Sequence, residues 1–444
     1  MKPATALLPM LLVCAPTLVR SQSETADHGR PRRFDLVSIN NDGAQGGNDS
    51  DVASLSADGR YVAFVSLAEN LVPNDTNLSS DVFVHDRKTD TTERVSVGPL
   101  GVEGNADSGM LLLLGAADIS RDGRFVAFAS EASNFVAGDT PSTADVFVHD
   151  RWTHTTELIS RGVDGLPAGG STAPSISGGG RFVAFRSFSD RLVPDGNPNF
   201  FDHVFVVDRL TRAIERIDLT NDGRLADGGA FGIVISADGR FVAFDSGAGN
   251  LVAGDVDQGS DVFVRDRRRR RTEGISTRGA ADALGQSLLS SISEDGRFVG
   301  FKSTDPTLVR DDANGFFSDA FVFDRERRRL RLVSRSRDGE PGNDDSRGAL
   351  VSDDGRFVVF TSRASNLVPR DDNESADVFR RDLEHGTITR IAADDTSADQ
   401  PFGFEVLATD ITPGATKVAL LTRADLEPEQ DVGSFVADVY VLAR

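Results

Sequence analysis

The pattern of apolar and polar residues along this chain is a short two-strand unit that recurs. In the first copy, Asp58 and Gly59 separate two strand-like runs, and the second run, Tyr61 to Val65, is apolar at successive positions rather than at every second one. An Asp-Gly pair between such runs is a strong hairpin signal. Strands that are apolar on both sides must be covered on both faces. The pattern therefore predicts antiparallel sheets that pack face to face.

The unit Ser56 to Phe64 returns at intervals of 57 to 64 residues. Its further copies begin at Ser120, Ser177, Ser236, Ser293, Ser352 and, in a divergent form, Thr412. A repeat of this length that fills a chain favours one closed array over several domains. The longest interval contains the run Met110 to Leu114, which we expect to be the innermost strand of the second repeat with a lengthened entry, or else an apolar spot for a partner.

Each repeat predicts four strands and no helix. In the first repeat they precede Asp58, begin at Arg60, cover 81–87 and end at Ser96. The last repeat stops after its third strand, 438–444, whereas residues 33–38 resemble a fourth strand. The fold class is therefore all-β: a seven-bladed β-propeller of four-stranded antiparallel blades, closed by an N-terminal strand that completes the last blade.

A family resemblance rests on these residues. The unit Ser-x-Asp-Gly-Arg-Phe-Val-Ala-Phe, then Asp-Val-Phe-Val-x-Asp-Arg, then a strand like 92–96, resembles the WD40-like Asp-repeat (PD40) of TolB-type β-propellers over residues 33–444. The resemblance implies a propeller, a periplasmic or extracellular setting and a tendency to bind protein partners. It implies no catalytic residue.

The first residues are typical of an export signal. Lys2 precedes an apolar run from Ala4 to Val19, and a polar break follows. We predict a signal peptide at 1–21, a disordered linker at 22–32 and the propeller at 33–444, in the periplasm or outside the cell. An alternative is a lipid anchor on Cys14, the only cysteine. No later run reaches the roughly 18 apolar residues of a membrane helix.

The net charge of the chain limits the classes of molecule it can bind. Sixty-nine acidic against 48 basic residues give a formal charge of -21, which disfavours nucleic acid. We expect a monomer with a protein partner and no required cofactor. The basic runs Arg267 to Arg271 and Arg327 to Arg329 are expected at exposed hairpin tips, or as a basic patch for an acidic polymer or lipid head groups.

The connections alternate between short and long. Short turns such as Asp58-Gly59 and 88–90 leave on one face of the ring, and long loops such as 67–80 and 97–117 leave on the other. Binding usually resides in long loops on a rigid scaffold, so we expect it on the long-loop face, which is rich in Asp and Asn. We expect Arg60 to lie opposite Asp86 as a structural cross-strand ion pair.

The long loop between the second and third strands carries oxygen ligands at short spacing, as a hard cation such as calcium prefers. The candidate calcium ligands are Asp75, Asn77, Asp81, Asp255, Asp257, Asp261, Asp312, Asn314, Asp319, Asp371, Asn373 and Asp377. Blade two keeps Asp139 and Asp145 with Pro141 between them. In the competing interpretation these residues close local turns on their own backbone.

Nothing in the sequence predicts a particular catalytic residue. It contains no nucleophile elbow, phosphate loop or paired metal motif, and its six histidines are scattered. We therefore expect no enzyme but an exported binding or scaffold propeller that engages a protein or other extracellular partner through its acidic long-loop face. The alternatives are a polysaccharide-active lyase or hydrolase with its site at the channel mouth, and a calcium-stabilised structural module.

Overall fold

Twenty-eight β-strands form seven four-stranded sheets in the described part of the chain. The computed structural model describes residues 33–109, 117–139, 143–255, 259–277, 285–310, 312, 314–315, 317–373, 375–393, 405–424, 426 and 436–443. The predicted seven-bladed antiparallel propeller is thus confirmed. The run 110–114 and the predicted signal peptide and linker lie outside the described residues, and so does Asp257.

The two inner strands of each sheet come from the repeated unit and its hairpin. The innermost strands are β2 Ser50–Leu55, β6 Ala117–Ile119, β10 Ser171–Ile176, β14 Ala230–Ile235, β18 Ser287–Ile292, β22 Ser346–Val351 and β26 Leu407–Ile411. The second strands are β3 Tyr61–Ser66, β7 Phe125–Ser130, β11 Phe182–Ser187, β15 Phe241–Ser246, β19 Phe298–Ser303, β23 Phe357–Ser362 and β27 Lys417–Thr422. We number the blades one to seven in this order.

The two outer strands complete each blade. The third strands are β4 Asp81–Asp86, β8 Asp145–Asp150, β12 His203–Asp208, β16 Asp261–Asp266, β20 Asp319–Asp324, β24 Asp377–Asp382 and β28 Asp438–Ala443. The outermost strands are β5 Thr91–Arg94, β9 Thr155–Leu158, β13 Ala213–Arg216, β17 Arg271–Gly274, β21 Arg329–Leu332, β25 Thr387–Ala392 and, for blade seven, β1 Arg33–Leu36. Only a short 3-10 turn, Pro99–Gly101, is helical among the described residues, where no helix has the length and apolar character needed to cross a membrane.

The recurring Ser-x-Asp-Gly-Arg segment builds the inner hairpin. The Asp58 carboxylate accepts hydrogen bonds from the Ser56 hydroxyl (2.8 Å) and the Arg60 amide (2.9 Å). At the same position in blade two, Gly123 has a φ of +71°, and a Cβ there would lie 2.1 Å from Cδ2 of Tyr61 in blade one. Glycine is thus required both for the turn and for the ring of the preceding blade.

Arginine links the second and third strands near the short turns. Tyr61, and not Arg60, lies directly opposite Asp86 in the register. The expected register was therefore one residue off, because the strand begins after Arg60. The predicted ion pair is nevertheless present: Nε and Nη2 of Arg60 donate to the two carboxylate oxygens of Asp86 at 2.8 and 2.6 Å.

A second set of arginines, which we call the interblade pairs, joins neighbouring blades. Nε of Arg151 in blade two donates to Glu93 of blade one at 2.5 Å, and its guanidinium lies 4.2 Å from the ring centroid of Tyr61. The same contact recurs as Arg209 with Glu157, Arg267 with Glu215 and Arg325 with Glu273. Arg87 and Asp35 make it between blades one and seven.

The ring is closed by strand β1. It pairs with β28 in the last sheet, and the amide of Val37 donates to the carbonyl of Val439 at 2.9 Å. The Ser38 hydroxyl donates to Asp438 at 2.6 Å. The predicted completion of blade seven by the N-terminal strand is confirmed, and the outer edge of β28 is thereby paired.

The central channel is narrowed at the short-turn face. There a backbone amide of the inner hairpin donates to a carbonyl of the next blade in five of the seven blades, and the amide of Glu294 donates instead to the Asp353 carboxylate at 2.8 Å. The five backbone bonds are Ala57 to Arg121, Arg121 to Gly178, Gly178 to Ala237, Ala237 to Glu294 and Asp353 to Pro413, at 2.9 to 3.1 Å. The Arg121 side chain, in blade two, pairs across the ring with Glu294 of blade five.

Candidate functional site

The predicted calcium ligands of blade one surround an arginine. Nη1 of Arg94, on β5, lies 3.2 Å from Asp75, 3.1 Å from Asp81 and 2.7 Å from Glu103. The ligand atoms of the three acids lie within 4.8 Å of one another. Burial raises the pKa of Asp75 to about 6, and Asp81 adds to the shift. The guanidinium therefore supplies the positive charge at the centre of this group.

Blade six repeats the arrangement. Nη1 of Arg390 lies 3.3 Å from Asp371 and 2.9 Å from Asp377, and the Asn373 amide donates to Asp377 at 3.0 Å. Burial raises the pKa of Asp371 to about 7. Here too the predicted ligands are brought together around an arginine side chain.

In blade five, Leu332 occupies the position of Arg94 and Arg390. No guanidinium therefore enters the acidic loop of blade five from this position. The Asn314 amide donates to Asp319 (2.8 Å) and to the carbonyl of Gly342 (2.8 Å). Oδ1 of Asp312 and Oδ1 of Asn314 are buried without a hydrogen-bond partner. Burial raises the pKa of Asp319 to about 6. This loop keeps free oxygen atoms of the kind a hard cation binds.

The acidic loops of blades two and four have other residues at the position of Arg94. Blade two has Leu158 there, and Asp145 accepts hydrogen bonds from Ser160 (2.6 Å) and the Gly169 amide (3.0 Å). Blade four has Gly274, and Asp261 accepts the Ser276 hydroxyl. The Asp that starts a third strand therefore has a structural role, since it ties that strand to the serine of the outermost one. Calcium at the predicted ligands stays a prediction.

Blade three contains a buried pair that the sequence patterns did not reveal. His203 replaces the Asp that starts the third strand, and Asp218 replaces the serine, so the donor and the acceptor have exchanged strands. Nδ1 of His203 lies 2.5 Å from Asp218, and both side chains are fully buried. Nε2 lies 2.8 Å from Oδ1 of Asn199. Aligning the seven repeats by position would have indicated this exchange.

Charged side chains replace apolar ones beside the channel in blades three to five. They are Arg186, Asp245 and Lys302, at the position that Val65 occupies in blade one. Oδ1 of Asp245 accepts the amides of Gly232 (3.1 Å) and Leu289 (3.2 Å), while Oδ2 is buried without a hydrogen-bond partner.

The protonation of Asp245 is set by its burial. Burial raises the pKa of this carboxyl to about 7, and the charge of Arg186 opposes the shift. A carboxyl that titrates near neutral pH is a candidate acid or base. Its side chain, however, is almost completely covered, since the residue is only 1% exposed.

Two further carboxylates line the channel on the innermost strands. Asp118 accepts the Ser54 hydroxyl (2.9 Å) and the Ile176 amide (2.8 Å). Asp410 accepts the Leu55 amide at 2.7 Å, and burial raises its pKa to about 7. Because each bond joins two neighbouring blades, these groups serve the packing of the ring.

Exposed apolar side chains are concentrated on the long-loop face. Of twelve large exposed apolar residues in the described part of the chain, ten lie on this face, in its loops or, for Phe231, at the near end of β14. The ten are Leu78, Leu100, Val102, Val163, Leu166, Phe188, Phe200, Phe201, Phe231 and Phe317. Only Trp152 and Leu210 lie at the short turns.

Four of these phenylalanines form what we call the aromatic patch: Phe188, Phe200, Phe201 and Phe231. The Asn197 amide donates to the carbonyls of Phe188 and Phe201, both at 2.8 Å, and holds the two ends of the blade-three loop together. The carbonyl of Asp202 then accepts the amide of Ala230 at 3.0 Å, which places Phe231 of blade four beside this loop.

The scattered histidines have structural partners. Nδ1 of His85 and of His149 lie 3.0 and 2.9 Å from the hydroxyls of Thr92 and Thr156 on the neighbouring strand. Asp382, Glu384 and His385 bring ligand atoms within 4.8 Å of one another, but they belong to a short turn whose amides Asp382 accepts.

Comparisons with known proteins identify the fold. No family model and no curated protein matches the chain. Among solved structures, an oligogalacturonate lyase in complex with manganese is 14% identical over 93% of this chain and 96% of its own, with a TM-score of 0.50. The β-propeller domain of the Trilobed protease from Pyrococcus furiosus is 12% identical over 89% and 95%, with a TM-score of 0.52.

TolB proteins are also among the structural neighbours. TolB from Acinetobacter baumannii is 14% identical over 78% of this chain and 64% of its own, with a TM-score of 0.40. At such identities the likeness shows the propeller fold alone, and a TM-score of 0.40 adds no argument. Membership of the PD40 family, which the repeat resembles, stays a prediction.

Proposed function

We propose that this protein is an exported binding propeller that engages a protein partner through the aromatic patch on its long-loop face. The observation that carries the proposal is the uneven distribution of exposed apolar side chains, ten of twelve on one face of the described ring. Contiguous exposed apolar groups with aromatic anchors are typical of protein interaction sites. Export rests on the pattern of residues 1–21, and the acidic loops around the patch favour a partner with a basic rim.

The proposal is tested by affinity capture with matched variants. The full chain is used as bait against envelope and culture fluid of its source, with chemical cross-linking. Phe200→Ser with Phe231→Ser removes two side chains that are 85% and 52% exposed, so folding should be preserved. Trp152→Ser with Leu210→Ser removes comparable apolar groups from the opposite face.

We expect one partner to be captured by the wild type and by the Trp152/Leu210 variant but not by the Phe200/Phe231 variant. Capture that survives loss of the two phenylalanines, or that both variants lose equally, would contradict the proposal. Circular dichroism and melting of both variants exclude unfolding as the cause.

The second candidate is an enzyme that acts on an acidic polysaccharide. It is favoured by the carboxyl of Asp245, with its unpartnered oxygen and a pKa of about 7 beside Arg186. It ranks second because this carboxyl is covered. Turnover of a uronate-containing polymer by the wild type, lost in Asp245→Asn at unchanged melting temperature, would reverse this order.

A further inference from the structure

A basic cavity lies between blades five and six, away from the long-loop site. Its volume is about 460 Å³. Its wall contains four arginines, Arg329 and Arg331 on β21, Arg335 just after that strand, and Arg381 on β24. Apolar side chains, among them Leu332 and Leu383, also line the cavity, and none of its described lining residues carries a carboxylate.

The cavity exists because one interblade pair is altered at both of its positions. At the preceding junctions, an acid on the outermost strand of one blade meets an arginine of the next blade, as Glu273 meets Arg325 at 2.5 Å. At the junction of blades five and six these positions hold Arg331 and Leu383. The amide of Leu383 donates to Arg356 just as the amide of Arg325 donates to Arg297, so the register is unchanged. Arg331 thus reverses the charge of the acidic position, and Leu383 replaces its arginine partner.

The arginines of the cavity have no acidic partner among the described residues. Nη1 of Arg331 approaches the carbonyl of Leu383 at 3.4 Å, Nη1 of Arg381 donates to the carbonyl of Arg335, and Nε of Arg335 donates to the carbonyl of Gly339 at 3.0 Å. Among the described residues, neutral carbonyls are the only partners recorded for these side chains. Arg381 is buried and Arg331 and Arg335 are half-buried, and a covered cation without a counter-ion is costly, so the cavity favours an anion.

Burial of an arginine at this position does not by itself leave it without an acidic neighbour, as blade four shows. Arg265 occupies the position of Arg381 and is equally covered, at 6% against 8% exposed. Its junction keeps Glu215, whose charge raises the pKa of Arg265 against the effect of burial. Burial lowers the pKa of Arg381 too, but there the neighbouring charge, Arg335, lowers it further. The excess of positive charge is therefore particular to one junction of a chain with a net charge of -21.

We propose that this cavity binds an oxyanion, a phosphate or carboxylate group of a compact organic ligand. Planar guanidinium groups pair with both kinds of oxyanion through parallel hydrogen bonds. The volume lies in the range of small-molecule sites, and the leucine side chains provide apolar walls for the rest of the ligand. The site is separate from the aromatic patch, and so the two proposals stand independently.

Isothermal titration calorimetry of the full chain tests the proposal with two probes, inorganic phosphate and citrate. Binding of phosphate alone indicates a phosphate ligand, and binding of citrate alone or more tightly indicates a carboxylate ligand. Arg331→Glu restores the acidic residue of blades one to four and should weaken binding at least tenfold. Arg331→Gln, a neutral change at the same position, should weaken it less but in the same direction.

The matched control is Arg269→Glu, which makes the same change of charge at an exposed hairpin tip of blade four, where the side chain is 76% exposed. We expect it to bind each probe within about twofold of the wild type. Absence of saturable binding of both probes to the wild type would overturn the proposal. Equal weakening by the Arg331 and Arg269 variants would overturn it as well, because it would show an effect of net charge only.

Discussion

Single residues at one repeat position decide how each acidic loop is neutralised. Arg94 and Arg390 place a guanidinium among the carboxylates of blades one and six, whereas Leu332 leaves those of blade five without one. In all three blades this position pairs with a phenylalanine of the third strand: Arg94 with Phe83, Leu332 with Phe321 and Arg390 with Phe379. The chemistry of the loop is therefore set by the side chain on the neighbouring strand.

Arg94→Leu, which installs the residue of blade five in blade one, should lower the free energy of unfolding by about 3–5 kcal/mol, because it leaves buried carboxylates without their counter-charge. Urea denaturation at pH 8 measures this. The loss should shrink at pH 5, where Asp75, with a pKa of about 6, is protonated.

The control for this variant is Arg224→Leu. Arg224 forms its ion pair with Asp222 at 2.9 Å while 71% exposed, so the change should cost less than about 1 kcal/mol. Similar losses in the two variants would show that the Arg94 group carries no special stability.

At the scale of elements, the long loop between the second and third strands of blade five is the best test of calcium. Its Asp312 and Asn314 keep oxygen atoms that no hydrogen bond uses. The loops of blades one and six have equivalent residues, but an arginine already contacts their carboxylates. The sequence spacing of the acids is similar in all three, so the loop sequence alone could not separate them.

If the blade-five loop binds calcium, a chelator lowers the melting temperature of the wild type, because the ion stabilises only the folded chain. Asp312→Ala should then melt at the same temperature with and without chelator. Asp222→Ala, at a side chain that is 63% exposed, should keep the response of the wild type. If the chelator leaves the melting temperature of the wild type unchanged, the blade-five loop does not bind calcium.

The whole molecule carries two opposed sets of carboxyl groups. Hydrogen bonds from Arg60, Arg124 and Arg181 hold the pKa of their partners Asp86, Asp150 and Asp208 at about 2, below the ordinary 3.8. Burial raises the pKa of Asp245 and Asp410 to about 7. The first set stabilises the fold above pH 4, and this contribution is lost as the pH falls toward 2. The second set stabilises it below pH 4, and that contribution is lost as the pH rises through 7.

The melting temperature should therefore be highest near pH 4 and fall on both sides. Differential scanning calorimetry from pH 2 to 9 measures this. Asp245→Asn with Asp410→Asn removes two of the raised groups and should flatten the decline between pH 4 and 7. A wild-type melting temperature that rises steadily from pH 5 to 8 would contradict the assignment.

Contacts within one loop of the site could be predicted from the sequence, whereas contacts between strands of the site could not. Asp75, Asn77 and Asp81 lie close together because residues a few positions apart in one loop are brought together by local geometry, and calcium at them stays a prediction. Arg94 is contributed by another strand, and its role depends on how that strand pairs. The replacements at His203 and Asp218 can be found by aligning the repeats, but the contact between the two side chains depends on how their strands pair.

The sequence by itself determined the architecture. Seven copies of one hairpin, five of them with an Asp-Gly turn, have doubly apolar strands that can bury both faces only by packing blade on blade, and the residues at 33–38 supplied the strand that the last blade lacked. Tertiary structure decided where charge and apolar surface collect. The aromatic patch and the basic cavity each join two neighbouring blades, whereas Arg121 and Glu294 meet from blades that are distant in the chain. Blade packing brings the first residues together, and only the closed ring brings the last two together.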